Sequence, residues 1–430
     1  MRTPAAAKAG PWRPLLDEGG GQAAIASIHE IERALVTYLQ GREFLSSSNV
    51  YLAEGTAGIA LFCAYSQTAE SAPMQELAFD CLAPAVEAMA TQYMRASLFA
   101  GFTGIAWAMQ HVSSLLAVAS DDIGGDIDLA LESYLRQSPW NHHYDLIQGL
   151  VGLGVYCLER VKSPTAIRCL ELIVERLGEL AEPCGRGLRW HTGPDLLPPQ
   201  QQEQHPQGYY NLGLAHGVPG IIALLGKMHA AGISRDKTSR LLEGAVEWLL
   251  QQRLPHPTSS SFPLVHVPGR QPAGCRLAWC YGDAGVAAAL LLAARSVEEK
   301  SWEQEALGIA RRAAARDSQT CGVVDACFCH GSSGLAHIFN RFYQATYDDV
   351  FSVASRYWIE RTLRFCKQGD GSAGYRVMSA DPSGKIGFHA RYGLLEGIAG
   401  IGLSLLAATS AIEPCWDRIF LVDIPPLPSS

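Results

Sequence analysis

The chain has 430 residues and little charge for its length. Asp, Glu, Lys and Arg make up 18% of it, and the formal net charge is −8. A surface with so few basic residues is not expected to bind nucleic acid, because phosphate recognition needs a dense basic patch. Hydrophobic residues reach 48%, which excludes intrinsic disorder and is enough for a large core.

The N-terminus lacks the apolar core of a secretory signal peptide, and residues 1–16 read MRTPAAAKAGPWRPLL. Without such a signal a disulfide framework is not expected, since those frameworks belong to short secreted chains. We therefore predict a cytoplasmic protein whose twelve cysteines are reduced. Most of them, including Cys63, Cys157 and Cys169, are expected to be buried as small hydrophobic side chains.

One segment approaches the length of a membrane span. Gly393 to Ile412 form a nearly uncharged run of about the 20 residues that a bilayer requires. The run contains Glu396 and four glycines, which a membrane helix would have to place in lipid. We interpret it as a buried helix and predict no membrane span.

The same run belongs to an internal repeat built on the pattern G-x-x-G. Seven copies align as LAEGTAGIAL, LFAGFTGIAW, LIQGLVGLGV, LAHGVPGIIA, WCYGDAGVAA, FCHGSSGLAH and LLEGIAGIGL. Their first glycines are Gly55, Gly101, Gly149, Gly217, Gly282, Gly331 and Gly397. These glycines are separated by 46 to 68 residues, and periods of this length indicate stacked or closed supersecondary units.

Each copy combines two helical patterns. After the glycine turn comes a run such as GVAAALLLAA, which is apolar all round and predicts a buried helix. Between the turns lie segments such as AIRCLELIVERLGELAE, apolar on one side, which predict amphipathic outer helices. No convincing strand pattern is present. We predict an all-α, seven-repeat α/α toroid, with an inner ring of helices inside an outer ring.

The predicted organisation is an N-terminal extension over residues 1–20 and a single toroid domain over residues 21–430. Two long loops interrupt the repeats, at about 182–211 and 256–276, and both are rich in turn-forming residues. Each loop leads into a G-x-x-G turn, so both are expected to border the end of the ring where the turns meet. Loops of this length in compact domains are usually functional.

Two adjacent turns contain metal-binding side chains. Cys280 lies at the fifth turn, and Cys329 and His330 lie at the sixth. Because neighbouring repeats are adjacent in a ring, these three side chains are predicted to converge. Two thiolates and one imidazole suit Zn²⁺ and leave a fourth coordination position open. Cys327 is the competing ligand, and ordinary buried thiols are the alternative to a metal site.

The sequence blocks around these turns resemble a known family. LAHGVPG, RLAWCYGD and CHGSSGLA are similar to signature blocks of the lanthionine synthetase C-like (LanC) family, the cyclases of lanthipeptide (lantibiotic) biosynthesis. The similarity continues through YDLIQGLVGLGVY and HPQGYYNLGLAHG and covers most of the chain. It implies an α/α toroid and a free-standing class I cyclase, a lanthionine synthetase that needs zinc.

The resemblance implies a Michael-type addition. A cysteine thiol of a dehydrated precursor peptide, leader plus core, adds to dehydroalanine or dehydrobutyrine and forms a thioether ring. His216 is expected to act as general acid or base, since imidazole titrates near neutral pH. Asp145 would orient His216, and Arg276 would stabilise the enolate oxygen. Tyr281 would hydrogen-bond the intermediate.

The residues alone leave simpler readings open. Asp145 suits a helix N-cap, Arg276 a surface charge, His216 a turn residue and Tyr281 core packing. A dehydratase and an exporter are the partners that the resemblance suggests.

Three further hypotheses concern function and substrate entry. One competing function is a zinc hydrolase, and another is a LanC-like protein that adds glutathione or only binds thiols. For the cyclase, Trp190 and the following segment LLPPQQQEQHPQGYY are expected to form part of a peptide groove.

Overall fold

The computed structural model describes residues 11–17, 19–41, 49–66, 72–118, 124–255, 260–381 and 383–427. Half of the predicted N-terminal extension and the first four residues of the loop predicted at 256–276 lie outside this part of the chain. Where the extension is described, it packs on the toroid: Trp12 and Leu15 are buried, and the Trp12 indole nitrogen donates to the Ala407 carbonyl at 2.9 Å.

Seven inner helices begin at the seven repeated glycines, as the repeat pattern predicts. They span Thr56–Tyr65, Phe102–Leu115, Leu150–Glu159, Val218–Ala230, Asp283–Ser296, Ser332–Thr346 and Ile398–Thr409. The glycines are required by close approach of the backbone: a Cβ on Gly101 would lie 2.0 Å from the Arg95 carbonyl oxygen. At Gly282 the backbone also has φ of +95°, which favours glycine.

Seven outer helices surround the inner ones. They span Gln22–Gln40, Ala72–Thr91, Gly124–Leu135, Pro164–Leu180, Arg235–Gln251, Lys300–Ala314 and Asp349–Phe365. Each packs against the inner helix that precedes it, except that the first outer helix packs against the last inner helix. That contact brings the first outer helix and the last inner helix together. The predicted all-α toroid is confirmed.

The inner ring is closed by contacts between consecutive inner helices, including the seventh with the first. A circle of backbone hydrogen bonds links the turns. At each turn the participating residue lies two positions before the first glycine: Ala53, Phe99, Ile147, Ala215, Cys280, Cys329 and Leu395. Each donates to the carbonyl of its counterpart in the next turn at 2.9–3.4 Å, except that Leu146 donates in place of Ile147. Equivalent positions of adjacent repeats are therefore direct neighbours.

The C-terminal segment fills the axis of the ring beneath the turns. It forms a 3₁₀ helix over Cys415–Phe420, and the Phe420 ring packs on Phe328 and Trp279 with centroids 4.1 and 4.9 Å apart. All three rings are buried. The indole nitrogen of Trp279 donates to the Phe420 carbonyl at 3.0 Å, which ties the segment to the fifth turn.

A buried charged cluster fixes the same segment to the sixth inner helix. Asp417 accepts hydrogen bonds from Arg341 at 2.6 and 2.9 Å and lies 2.7 Å from the Nε2 atom of His337. The three side chains are fully buried. Burial raises the pKa of Asp417, but the charges and hydrogen bonds of Arg341 and His337 together outweigh it and lower that pKa below its ordinary value.

Short strands are the main departure from the sequence prediction. β1 (Ala181–Cys184), β2 (Gly187–Thr192), β3 (Tyr209–Asn211) and β4 (Val265–His266) form an antiparallel sheet, and β5 (Val377–Ala380) pairs with β6 (Ile386–His389). A short helix, Pro199–Gln204, lies between β2 and β3. The predicted loops are thus partly regular. Strands of two to six residues are too short to show a clear alternation in the sequence.

Trp190 was expected in a substrate groove, and this expectation is wrong. Its side chain is fully buried, and its indole nitrogen donates to the Leu177 carbonyl at 2.9 Å. It anchors β2 to the end of the fourth outer helix.

The predictions on cysteines and membrane spans have the following outcomes. All twelve cysteines are free, and Cys63, Cys157 and Cys169 are buried as expected. In the described part of the chain no helix is long and apolar enough to span a bilayer.

Candidate functional site

Cys280 and Cys329 come together because the backbone circle joins their turns. The Cys280 amide donates to the Cys329 carbonyl at 3.2 Å, and the two thiols are hydrogen-bonded. Arg276 lies on the same side, with its Nη2 atom 4.0 Å from the Cys280 sulfur. The hydrogen bond from Cys329 and the Arg276 charge outweigh burial and lower the pKa of Cys280 to about 6. The pair therefore holds one negative charge near neutral pH.

His330 follows Cys329 and is oriented by two groups outside the pair. Its Nε2 atom lies 3.1 Å from the Met378 carbonyl oxygen and 3.4 Å from an Asp325 carboxylate oxygen. Both neighbours are acceptors, which assigns the proton of a neutral ring to Nε2. No residue in the described ranges bonds to Nδ1, so the lone pair of that nitrogen is left for a ligand. Such outer contacts are typical of metal-binding histidines.

A second ligand set overlaps the first. Asp325, Cys327 and His330 are buried, and their ligand atoms lie within 4.8 Å of one another, the only such group of three in the described ranges. The Asp325 carboxylate already accepts hydrogen bonds from the amides of Cys327 and Met378 at 2.9 and 2.8 Å. Burial, and then the Asp325 charge, raise the pKa of the Cys327 thiol well above its ordinary value. These contacts favour Asp325 and Cys327 as supports of the sixth turn.

His216 and Asp145 form a pair at the fourth and third turns. The His216 Nδ1 atom lies 2.7 Å from Asp145 Oδ2, and the other Asp145 oxygen accepts the Gln148 amide at 2.7 Å. Asp145 therefore stabilises its own turn and holds His216 at the same time. Burial lowers the pKa of His216, but the hydrogen bond and charge of Asp145 outweigh it and raise that pKa. The His216 side chain is 36% exposed, so its Nε2 atom can meet a substrate.

Tyr281 packs beside His216, with ring centroids 5.8 Å apart at 26°. Its hydroxyl oxygen accepts a hydrogen bond from the Asn211 side chain at 3.0 Å. Burial raises the pKa of Tyr281 far above its ordinary value, so the hydroxyl stays protonated and can donate. Asn211 is a residue that sequence reasoning missed.

A fixed offset in the sequence could have found Asn211 and Asp325. At every turn, the residue six positions before the first glycine stands beside the start of an inner helix: Asn49, Arg95, His143, Asn211, Arg276, Asp325 and Arg391. Arg276 belongs to the same set. Its charge next to Cys280 is thus positioned by the repeat as firmly as the cysteines are.

The third and fourth turns open into a cavity of about 220 Å³. Asp145, His216 and Tyr281 line one side, and Leu196 to Gln201 of the first long loop line the other. That loop therefore borders this end of the ring.

Two glutamates stand on the opposite side of the candidate metal ligands. Glu54 at the first turn accepts the amide of Glu396 at the seventh turn at 2.9 Å. Burial, and then the charge of Glu396, raise the pKa of Glu54 to about 8. The turns at this end of the ring therefore contain a thiol–thiolate pair, an imidazole with a raised pKa, a guanidinium and a carboxyl group with a raised pKa.

Comparisons with known proteins agree with this fold. A family model described as lanthionine synthetase C-like protein matches residues 46–421. The nisin biosynthesis protein NisC of Lactococcus lactis subsp. lactis is 22% identical over 388 residues, which cover 85% of this chain and 87% of that protein. The solved structure of a nisin cyclase aligns with a TM-score of 0.74 at 21% identity, covering 92% of this chain and 97% of that one. The structural likeness supports the fold.

Proposed function

Since the chain belongs to the lanthionine synthetase C-like family, we propose that it is a zinc-dependent lanthipeptide cyclase. It would join cysteine thiols of a dehydrated precursor peptide to dehydroalanine or dehydrobutyrine of the same peptide. The observation that supports this most directly is the hydrogen-bonded pair of Cys280 and Cys329, with Arg276 4.0 Å from the Cys280 sulfur and His330 next to Cys329 in the chain. A site of this kind suits a thiol that must be activated in a large, flexible substrate.

The donor types of Cys280, Cys329 and His330 suit a zinc ion, although in the described ranges only Asp325, Cys327 and His330 bring three ligand atoms within 4.8 Å of one another. Cys280 and Cys329 share one negative charge before any metal binds, and the Nδ1 lone pair of His330 is directed by its contacts to Met378 and Asp325. These three side chains would hold Zn²⁺ and leave one position for a substrate thiol. When bound, the ion would keep that thiol deprotonated at neutral pH.

The addition is redox-neutral and releases no leaving group. The substrate sulfur forms a bond to the β-carbon, the electron pair of the double bond moves toward the carbonyl oxygen, and the α-carbon then takes a proton. His216 supplies that proton from Nε2, because Asp145 holds Nδ1 and raises the pKa of the ring. His216 is recharged by the proton that the substrate thiol gave up.

Arg276 and Tyr281 act on the negative charge that develops during the addition. The guanidinium of Arg276 stands beside Cys280, one of the proposed zinc ligands, and can attract the enolate oxygen. The protonated hydroxyl of Tyr281, held by Asn211, can donate to the same oxygen. Neither group has to reorganise when charge appears.

A single assay separates this function from its competitors. The purified protein is incubated with a dehydrated peptide that contains a cysteine, free thiols are then alkylated, and the mass is measured. Cyclisation leaves the peptide mass unchanged and removes the alkylation site. Loss of mass through bond cleavage would indicate a zinc hydrolase, and a gain of glutathione, when it is supplied, would indicate glutathione addition. Either result would overturn the proposal.

The proposal extends to location and partners. A cyclase that acts on a dehydrated precursor works in the cytoplasm, between a dehydratase and an exporter. Co-purification of this chain with those two proteins would test whether they form a complex.

A further inference from the structure

A second groove, of about 780 Å³, crosses the second turn of the ring. It shares His143 and Gln148 with the cavity that contains His216 and Asp145. The two spaces are therefore adjacent at the third turn. Nothing in the proposed chemistry uses the second groove.

The groove crosses the turn that has the smallest side chain next to its first glycine. The residues immediately before the first glycines of the seven turns are Glu54, Ala100, Gln148, His216, Tyr281, His330 and Glu396. Ala100 is the only one whose side chain ends at Cβ, and it is exposed. A chain leaving the catalytic cavity meets the least obstruction at this turn.

One wall of the groove is aromatic and fixed. Tyr134 stacks on His142, with centroids 5.7 Å apart at 28°, and meets the edge of Trp140 at 5.2 Å. Trp140 is buried, and its indole nitrogen donates to the His143 carbonyl at 3.1 Å. Because these side chains are already held in place, binding a ligand against them costs little conformational entropy.

Arg95 supplies a free positive charge in the groove. It occupies the same repeat position as Arg276, which stands beside Cys280, and Arg391, which bonds to Ser379 and Ala380. Arg95 is exposed, and its guanidinium forms no hydrogen bond or ion pair with any residue of the described ranges. A free guanidinium is suited to bind a carboxylate with two parallel hydrogen bonds.

We propose that this groove binds the part of the substrate peptide that flanks the reacting residues. An apolar side chain of the peptide packs on Tyr134, and a carboxylate of the peptide pairs with Arg95. The inference rests on the proposed cyclase function, because it assigns one more part of the same substrate. The shared wall of His143 and Gln148 with the cavity of His216 favours a peptide, since a small thiol would occupy that cavity alone.

The test compares two synthetic peptides that both contain one cysteine and one dehydroalanine. The short peptide ends just beyond these residues, and the long peptide continues through an apolar residue and an Asp to an amidated end. Arg95→Ala and Ala100→Trp are measured against the exposed outer-helix controls Arg364→Ala and Val353→Trp. We expect the wild type to show a KM about tenfold lower for the long peptide, the usual value of a charged hydrogen bond.

Both groove variants should remove this advantage of the long peptide, and both controls should keep it. Replacing the peptide Asp by Asn should abolish the effect of Arg95→Ala. If Arg95→Ala instead affects only a peptide with a free C-terminus, the carboxylate that pairs with Arg95 is the terminal one. An undiminished advantage in Arg95→Ala and Ala100→Trp would overturn the groove while leaving the cyclase intact. If the wild type cyclises neither peptide, the proposed function fails. In that case, binding of the long peptide is measured by fluorescence anisotropy, and equal affinity for all variants would reject the groove as well.

Discussion

At the scale of single residues, the chemistry at the end of the ring where the turns meet follows from the repeat position that each side chain occupies. Two positions before each glycine, the backbone circle places Cys280 and Cys329 side by side. Six positions before, the same circle places Arg276 near both sulfurs. A substitution at one of these positions should alter one function of the site and leave the others.

Metal content tests the ligand set. Cys280→Ala and Cys329→Ala should each lose most of about one zinc per chain, because each removes a thiolate from the three-ligand set. Cys327→Ala should keep its zinc, and Cys157→Ala, a buried cysteine elsewhere, is the matched control. The measurement is metal analysis of the purified variants. Zinc lost from Cys327→Ala but retained by Cys280→Ala would favour the set of Asp325, Cys327 and His330.

The cyclisation rate tests whether His216 is the proton donor. His216→Ala should slow cyclisation by about 10²-fold or more, the usual contribution of a general acid, and should keep its zinc. The measurement is a single-turnover cyclisation rate beside metal analysis. A wild-type rate in His216→Ala would leave this histidine as a turn residue.

The pH dependence tests Asp145. In the folded protein Asp145 raises the pKa of His216 against the lowering effect of burial. Asp145→Asn removes the raising contribution, so the pKa should fall and a smaller fraction of His216 should be protonated at neutral pH. The basic limb of the rate profile should therefore move to lower pH, while zinc stays bound. An unchanged basic limb would show that this part of the pH–rate profile does not reflect the protonation of His216.

At the scale of elements, the segment between β2 and β3 stands between solvent and the cavity of His216. It includes the helix Pro199–Gln204, and its residues line the cavity opposite Asp145. Because Trp190 is a buried anchor at its base, the segment has a fixed start and a solvent-exposed middle.

Shortening Leu196 to Gln204 should weaken processing of a full-length precursor and leave zinc content and thermal unfolding nearly unchanged. The reason is that the removed residues touch the cavity and contribute no side chain to the core. Cyclisation rates with a long peptide provide the measurement. A shortened protein that processes the precursor at the normal rate would make this segment a connector.

Which elements could be predicted from the sequence depends on the range of the contacts that define them. The inner helices and the Cys280–Cys329 contact follow from spacing along the chain, because equal positions of adjacent repeats meet in a closed ring. The orientation of His330 does not, since it depends on Met378, which lies 48 residues away in a short strand. Trp190 was misplaced for the same reason: its burial results from packing on the preceding helix, and its sequence neighbourhood is that of a loop.

At the scale of the whole molecule, the cluster of Asp417, His337 and Arg341 connects the end of the chain to the inner ring. The three side chains are out of contact with water. Removing one charge from a buried pair leaves the other without compensation, and this typically destabilises a protein by about 3–5 kcal/mol.

Asp417→Asn should therefore lower the unfolding temperature strongly, and Asp370→Asn, at an exposed ion pair, should change it little. The direction in which stability changes with pH follows from the lowered pKa of Asp417 in the folded protein. Its contribution is present above the unfolded value of about 3.9 and is lost as the pH falls through the folded value. Thermal unfolding between neutral and acidic pH measures both effects, and a variant as stable as the wild type at neutral pH would contradict the assignment.

Because Trp416 and Phe420 fill the axis, no tunnel runs through the described part of the toroid. A thioether ring makes a peptide wider than its linear precursor, and an enzyme with a tunnel would have to thread that width after each closure. Under the proposed function, the peptide would lie across the end of the ring where the turns meet and would depart from the side on which it arrived. A precursor with several reactive pairs can shift sideways between closures, with finished rings already in solvent. Successive ring closures on one chain then require no opening of the toroid.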